Sequence, residues 1–314
     1  MSLTRSQATD KPKRDKPKRQ FSALNSGRTM AILFTVPAVV LVLVLMYYPM
    51  ARTFQESLFT TSFLNPVPQY IGFETYQELF SDDEFWTVVV NSLVWTAGVV
   101  IMQNIIGMLV ALLINVNLPT RGLVRALILL PWVLPGVVGA ILWRFIYDPQ
   151  LGLLNSVLLS WGITDTRIAW LGDASTAMLA VIIAGIWKGF PFSAVIYLAA
   201  LQSIDKEQME AAQIDGANAV QRFFAVMLPA MMPIVRLNLL LTTVFTFNYF
   251  DMIWLTTRGG PRDATHIFPT MIYELGFGQF NFGEASAYGV VSVLILAVFA
   301  LLYLNELRTR LAGR

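Results

Sequence analysis

Four stretches of this chain carry no charged residue over eighteen or more positions: 30–48, 87–116, 126–143 and 285–305. A helix rises 1.5 Å per residue, so each is long enough to cross the roughly 30 Å hydrocarbon core of a bilayer. Two further apolar stretches are only lightly interrupted. Residues 175–201 contain Lys188, Gly189 and Pro191, and 234–257 carry Asp251 near the far end. Charged residues make up 13% of the chain, about half the density of an average soluble domain, and cannot coat a water-soluble globule of 314 residues. The chain therefore reads as an all-α membrane protein of six transmembrane helices. It holds no Cys and one His, His266. Disulfide scaffolds, thiol nucleophiles and Cys/His zinc sites are excluded.

Between the spans the chain is polar. Residues 1–29 alternate Lys and Arg with Pro and read as a disordered basic tail, which fits a cytoplasmic anchor better than a nucleic-acid-binding arm. The span at 30–48 is longer than the apolar region of a signal peptide, and no small-residue cleavage site follows Tyr48-Pro49. An external loop is expected at 49–86. A core of five helices then fills 87–305, with a hydrophilic loop at 202–232, and 306–314 form a second basic tail. Pro131 and Pro135 fall inside the expected third span, 126–143. Of the 22 Lys and Arg, 16 lie on the side of the N-terminus and 5 on the other, while Lys188 is intramembrane. The positive-inside rule then makes both termini and the 202–232 segment cytoplasmic.

That cytoplasmic segment reads as helix, turn, helix. Glu207–Gln213 favours a helix, Gly216 can stop it by taking positive φ, and Asp215 can fix the turn by local hydrogen bonds. Ala219–Leu228 resumes with Val220, Phe223, Phe224 and Met227 on one face, and Pro229 and Pro233 are expected to end it before the membrane. Nowhere does G-x-x-x-x-G-K-[ST] occur, so the chain has no phosphate-cradling loop of its own.

Within the spans, Lys188 is the sharpest single residue. A cation there costs several kcal/mol unless it meets water or a partner. It can donate to a solute, or it can snorkel or pair structurally. Gly185 and Gly189, one turn apart beside it, make room for a ligand or for a neighbouring helix. Thr242, Thr246 and Tyr249 follow i, i+4, i+7 spacing on the expected fifth helix. Their hydroxyls suit sugar hydroxyls, or the threonines bond back to their own helix. Asp251 reads as a gate residue or a cap, and His266 as structural or solvated. A secondary active transporter would need paired intramembrane carboxylates and related halves. A membrane enzyme would need an embedded Ser-His or carboxylate pair.

The run Glu210-Ala-Ala-Gln-Ile-Asp-Gly-Ala217, followed by Phe223 and Leu228-Pro229, resembles the EAA loop of binding-protein-dependent ABC importer permeases. Tyr70-Ile-Gly-Phe73, Trp187-Lys-Gly-Phe-Pro191 and Leu255-Thr-Thr-Arg-Gly-Gly-Pro261 are similar to the carbohydrate-uptake branch, of maltose or glycerol-3-phosphate type. The resemblance covers roughly residues 30–310. It implies the type I importer permease fold, with a coupling helix that docks on a separate ATPase. Glu210 would meet a basic group there, and Ala211, Ala212, Gly216 and Ala217 would let the surfaces approach. It implies no catalysis and no cofactor or metal in this chain. The implied partners are a second homologous permease in a heterodimer, two ATP-binding subunits, an extracytoplasmic solute-binding protein and membrane lipid. The solute would be a di- or oligosaccharide, a polyol or a glycerol phosphate, moved by alternating access across a bacterial or archaeal cytoplasmic membrane. Gly185, Lys188, Gly189, Thr242, Thr246 and Tyr249 match positions that contact sugar in maltose-type permeases.

Overall fold

The computed structural model describes residues 27–60, 67–115 and 121–312. Nearly all of the expected 1–29 tail, and part of the short loop around residue 119, lie outside them. The chain divides into two compact units, Met1–Arg52 and Thr53–Arg314. Helix α1, Gly27–Val42, continues through a π-helical turn at Leu43–Tyr47 and the helix Tyr48–Glu56. The first span thus runs from Met30 to Glu56, further than the expected 30–48.

The expected loop 49–86 is largely ordered. Strand β1 (Phe59–Thr60) pairs antiparallel with β2 (Gln69–Tyr70), and α2 spans Glu74–Ser81. Asp82 then caps α3, its carboxylate accepting from the Glu84 amide at 2.9 Å. Helix α3, Asp83–Ile114, buries Phe85, Val88, Ser92, Trp95 and Val99 along one stripe. Helix α7, Ala174–Gln202, crosses it, and Pro191 does not break α7.

Glycines make that crossing close. A Cβ on Gly107 would lie 2.6 Å from the Ser193 Cβ and 3.0 Å from the Ala194 backbone nitrogen. One on Gly185 would lie 2.6 Å from the Trp95 ring. Small residues of this kind let membrane helices pack backbone to backbone.

Three expectations are corrected. The third span is not continuous. Helix α4 (Arg121–Val133) and α5 (Gly136–Ile146) meet at 94°, so the pair is one broken span or a re-entrant turn. Pro131 is tolerated, but Pro135 has no N–H and stands as the cap of α5. The second correction concerns Pro229 and Pro233. They do not end the helix that begins at Ala219: after α8 (Lys206–Ile214), helix α9 runs from Ala219 to Phe247 into the fifth span. A π-helical turn at Phe223–Met227 precedes Pro229 and absorbs it. Third, α9 ends at Phe247, ten residues short of the expected limit. The short helix α10, Asp251–Thr256, follows separately. Helices α11 (Phe268–Tyr273) and α12 (Phe282–Ala312) complete the core, and α6 (Leu153–Ser160) lies in the loop after α5. Among the described residues, five helices are long and apolar enough to cross a membrane, or six counting the bent pair.

Candidate solute cavity and the turn at Gly216

Helices α3, α7 and α9 line an open cavity of about 560 Å³ part-way along their length. Its walls include Trp95, Trp132, Phe192, Phe245 and Tyr249, with Gln103, Lys188, Thr242, Thr246 and Asn248 as polar groups. All six residues singled out in the spans, Gly185, Lys188, Gly189, Thr242, Thr246 and Tyr249, therefore border one space. A volume between about 300 and 1,000 Å³, apolar with a few polar groups, is typical of small-molecule sites.

The geometry bears differently on each of the alternatives left open for these residues. Gly185 and Gly189 both lie close against α3. A Cβ on Gly189 would fall 1.8 Å from Gln103 Oε1, and Gly185 faces Trp95 and Val99. The Thr242 hydroxyl donates to the Asn238 carbonyl at 2.7 Å and accepts from Asn104 Nδ2 at 3.2 Å. Thr246 is different: among the described residues its hydroxyl has no intramolecular partner. Tyr249 does not continue the α9 face, because the helix has already ended. Its amide instead bonds back to the Thr246 carbonyl at 3.1 Å. This returns the ring to the cavity, where it lies nearly parallel to Trp95 with centroids 6.4 Å apart. The Trp95 indole N–H donates to the same Thr246 carbonyl at 2.9 Å.

Lys188 points its ammonium at the break in the third span. It donates to the carbonyls of Pro131 at 2.9 Å and Trp132 at 3.1 Å, and to that of Leu134. The structural pairing left open for this residue is the observed one, with carbonyls in place of a carboxylate.

A buried polar network below the cavity escaped sequence reasoning. Asn238 Nδ2 donates to Asn104 Oδ1 at 2.7 Å and to Ser193 Oγ at 3.0 Å, and the Tyr197 hydroxyl also bonds Asn104 Oδ1. It ties α3, α7 and α9 together. The available signal was two asparagines inside apolar spans, which are as costly to leave unpaired in lipid as they are easy to overlook beside a lysine.

At the other end of α9, the turn at 211–218 forms as expected around Gly216, whose φ is +82°. The Ala217 amide bonds the Ala212 carbonyl at 3.0 Å and the Gly216 amide bonds that of Gln213 at 3.1 Å, a Schellman pair. Asp215 closes α8 through its backbone, not its side chain. Side-chain capping comes from Asn218 and Gln221, which exchange two bonds of 2.9 Å. Glu210, Ala211, Asp215 and Gly216 are exposed, and Ala212 and Ala217 half-buried. Ile214 and Val220 flank the turn at 85% and 65% exposure, an apolar pair presented outward.

In the loop 258–267, His266 is buried rather than solvated. Its ring occupies the place a side chain on Gly259 would need, 2.1 Å from that Cβ position, and Gly259 has φ +84°. Burial holds its pKa below the usual histidine value, so it stays neutral at pH 7.

Residues 103–310 match the family described as binding-protein-dependent transport system inner membrane component. The chain belongs to that family. This permease is 33% identical over 284 residues to the trehalose/maltose transport system permease protein MalF of Thermococcus litoralis, covering 90% of this chain and 94% of that one. It is 31% identical over 284 residues to the sulfoquinovosyl glycerol permease SmoG of Agrobacterium fabrum, covering 90% and 92%. A chain in the crystal structure of a bacterial ABC transporter that imports the acidic polysaccharide alginate superposes with TM-score 0.77 at 26% identity, covering 89% of this chain and 95% of that one. The fold is thus that of a type I ABC importer permease, a multi-pass inner-membrane protein of the sugar-transport branch, and the secondary-transporter alternative is not favoured.

Proposed function

We propose that this permease forms one side of the solute path of an ATP-driven importer, and that its solute is an uncharged sugar or polyol. The observation that carries the reading is the aromatic cavity between α3, α7 and α9. Trp95, Trp132 and Tyr249 offer apolar faces to a pyranose ring, and Gln103, Thr246 and Asn248 offer bonds to its hydroxyls. Lys188 is the one charged lining residue among those described, and its protons are already on carbonyls. A carboxylated solute would find no free cation on this side.

Movement would follow alternating access, with a homologous second permease completing the path and two ATP-binding subunits supplying energy. The absence of a phosphate loop in the sequence and the exposed turn around Gly216 support that division. An external solute-binding protein would deliver the solute, as the family's description suggests. Lipid surrounds the spans.

The test is uptake into vesicles containing the complete complex and its binding protein. ATP-dependent accumulation of neutral disaccharides or polyols, and not of uronate oligosaccharides, is expected. Accumulation driven by an ion gradient without ATP would overturn the reading. Thr246→Leu should lower uptake about fivefold, the worth of one lost hydrogen bond near 1 kcal/mol, with assembly intact. Unchanged uptake would assign Thr246 to packing.

For orientation, the 16-to-5 bias of basic residues supports cytoplasmic termini. A reporter fused after Arg314 should be active only in the cytoplasm, and one inserted near Asp165 only outside. An external C-terminus would remove the turn at Gly216 from the ATPase side.

A further inference from the structure

The break between α4 and α5 leaves a defined set of backbone groups without helical partners. The last helical bond of α4 runs from the Leu134 amide to the Leu130 carbonyl at 3.1 Å, and the first bond beyond it from the Gly139 amide to the Pro135 carbonyl at 3.1 Å. The carbonyls of residues 131–134 are therefore orphaned, that of Pro131 because its natural partner, Pro135, has no N–H. Within a membrane such groups must be satisfied by protein or by water. Lys188, reaching across from α7, takes three of the four.

The other side of the break has the opposite charge beside it. A Cβ placed on Gly136, the first residue of α5, would lie 2.6 Å from Asp251 Oδ2. That carboxylate sits at the first turn of α10, directly against the α5 N-terminus, and is an electrostatic neighbour of Lys188. A cation at a helix C-terminus and an anion at a helix N-terminus are each the favourable sign for the helix dipole. Trp132, in the turn that Lys188 holds, is part of the cavity wall.

We infer that Lys188 and Asp251 are a pair of positioning residues that bracket the break in the third span, fixing the end of α4 and the start of α5 and thereby the Trp132 wall of the cavity. Lys188 acts on transport through that wall and not by touching the solute. The bracket itself is independent of the proposed solute path; only its consequence for uptake rests on that reading.

The experiment is backbone hydrogen exchange on the intact complex in lipid nanodiscs, alongside uptake. Lys188→Met should raise exchange at residues 132–139 at least tenfold and lower uptake about tenfold. Lys188→Arg, which keeps the charge and the donors, should stay within about threefold of wild type in both. Asp251→Asn should raise exchange in the same segment, and the double variant should add little to Lys188→Met, since either change opens the same bracket. Gly136→Ala provides a variant that leaves both charges in place: its methyl would displace the Asp251 carboxylate and reproduce the effect of Asp251→Asn. Protection unchanged in Lys188→Met, with uptake lost, would overturn the bracket and return Lys188 to the solute. Raised exchange with normal uptake would keep the bracket and sever it from transport. If Lys188→Met fails to assemble, Asp251→Asn and Gly136→Ala carry the test, and unaltered exchange in both overturns it.

Discussion

Gly107→Val is expected to prevent the permease from assembling, while Gly189→Ala leaves an assembled complex, although Gly189 looks the more crowded of the two. The nearest atom to a Cβ at Gly189 is only 1.8 Å away, but it is Oε1 at the far end of the Gln103 side chain. That amide can turn aside into the cavity, which it already borders. At Gly107 the neighbours are the Ser193 Cβ at 2.6 Å, the Ala194 nitrogen at 3.0 Å and the Ser193 carbonyl carbon at 3.1 Å. None can move without shifting α7 as a whole. Separating α3 from α7 also stretches the buried Asn104, Ser193, Tyr197 and Asn238 network.

Overpacking alone costs about 1–3 kcal/mol, and a branched side chain against backbone belongs at or above the upper end. Gly185→Val is intermediate. It meets the end of the Trp95 ring at 2.6 Å, and that ring is held by its bond to Thr246. Assembly should survive in part while the cavity is deformed. Thermal stability of the purified complex, followed by gel filtration after heating, orders the three variants. An assembled, fully stable Gly107→Val complex would show that the α3–α7 crossing is looser than the geometry requires.

Sequence patterning located the spans because charge-free length is a property of the chain alone. It mislocated their ends wherever a neighbour decided the matter. Pro135 breaks the third span and Pro191 does not break the fourth, and no local signal separates them. The freed carbonyls at 131–134 have a lysine 54 residues or more away in sequence to receive them, as the bonds from Lys188 show. Pro229 and Pro233 looked like stops because the π-helical turn before them has no sequence signature. The end of α9 at Phe247 was hidden by continued hydrophobicity through Ile253 and Leu255, which serve the separate helix α10. Tyr249 reached the cavity by a route other than the helical spacing assumed for it. The turn at Gly216 is legible in outline because glycine at positive φ is a local requirement; Asp215 does stand at the end of α8, but through its backbone, and the side-chain cap is Asn218 at the start of α9.

Glu210→Lys and Gly216→Pro should abolish uptake while leaving membrane insertion and the affinity of the external binding protein intact. Glu210 is exposed on α8, and among the described residues it has no hydrogen bond or ion pair. Its carboxylate is free to meet a cation on an ATPase, and opposing like charges in such a desolvated contact cost several kcal/mol. Gly216 acts through the backbone. Proline cannot take φ of +82°, and it removes the amide that bonds Gln213 at 3.1 Å, so the Schellman turn between α8 and α9 is lost. Because α9 continues without interruption into the fifth span, that turn joins the exposed helix directly to a wall of the cavity. Gly216→Ala separates two ways in which this glycine can matter. A Cβ there would meet nothing within 4 Å, so within this chain alanine costs only backbone strain, about 1 kcal/mol. A modest loss of uptake in Gly216→Ala therefore means that the turn is what counts. A loss as complete as that of the proline variant means that the side chain collides with a docked subunit. The measurements are uptake and ATP hydrolysis in vesicles, with subunit retention checked by pull-down. Wild-type uptake in both Glu210→Lys and Gly216→Pro would sink the coupling role of this turn and leave the exposed Ile214 and Val220 without a partner to cover them.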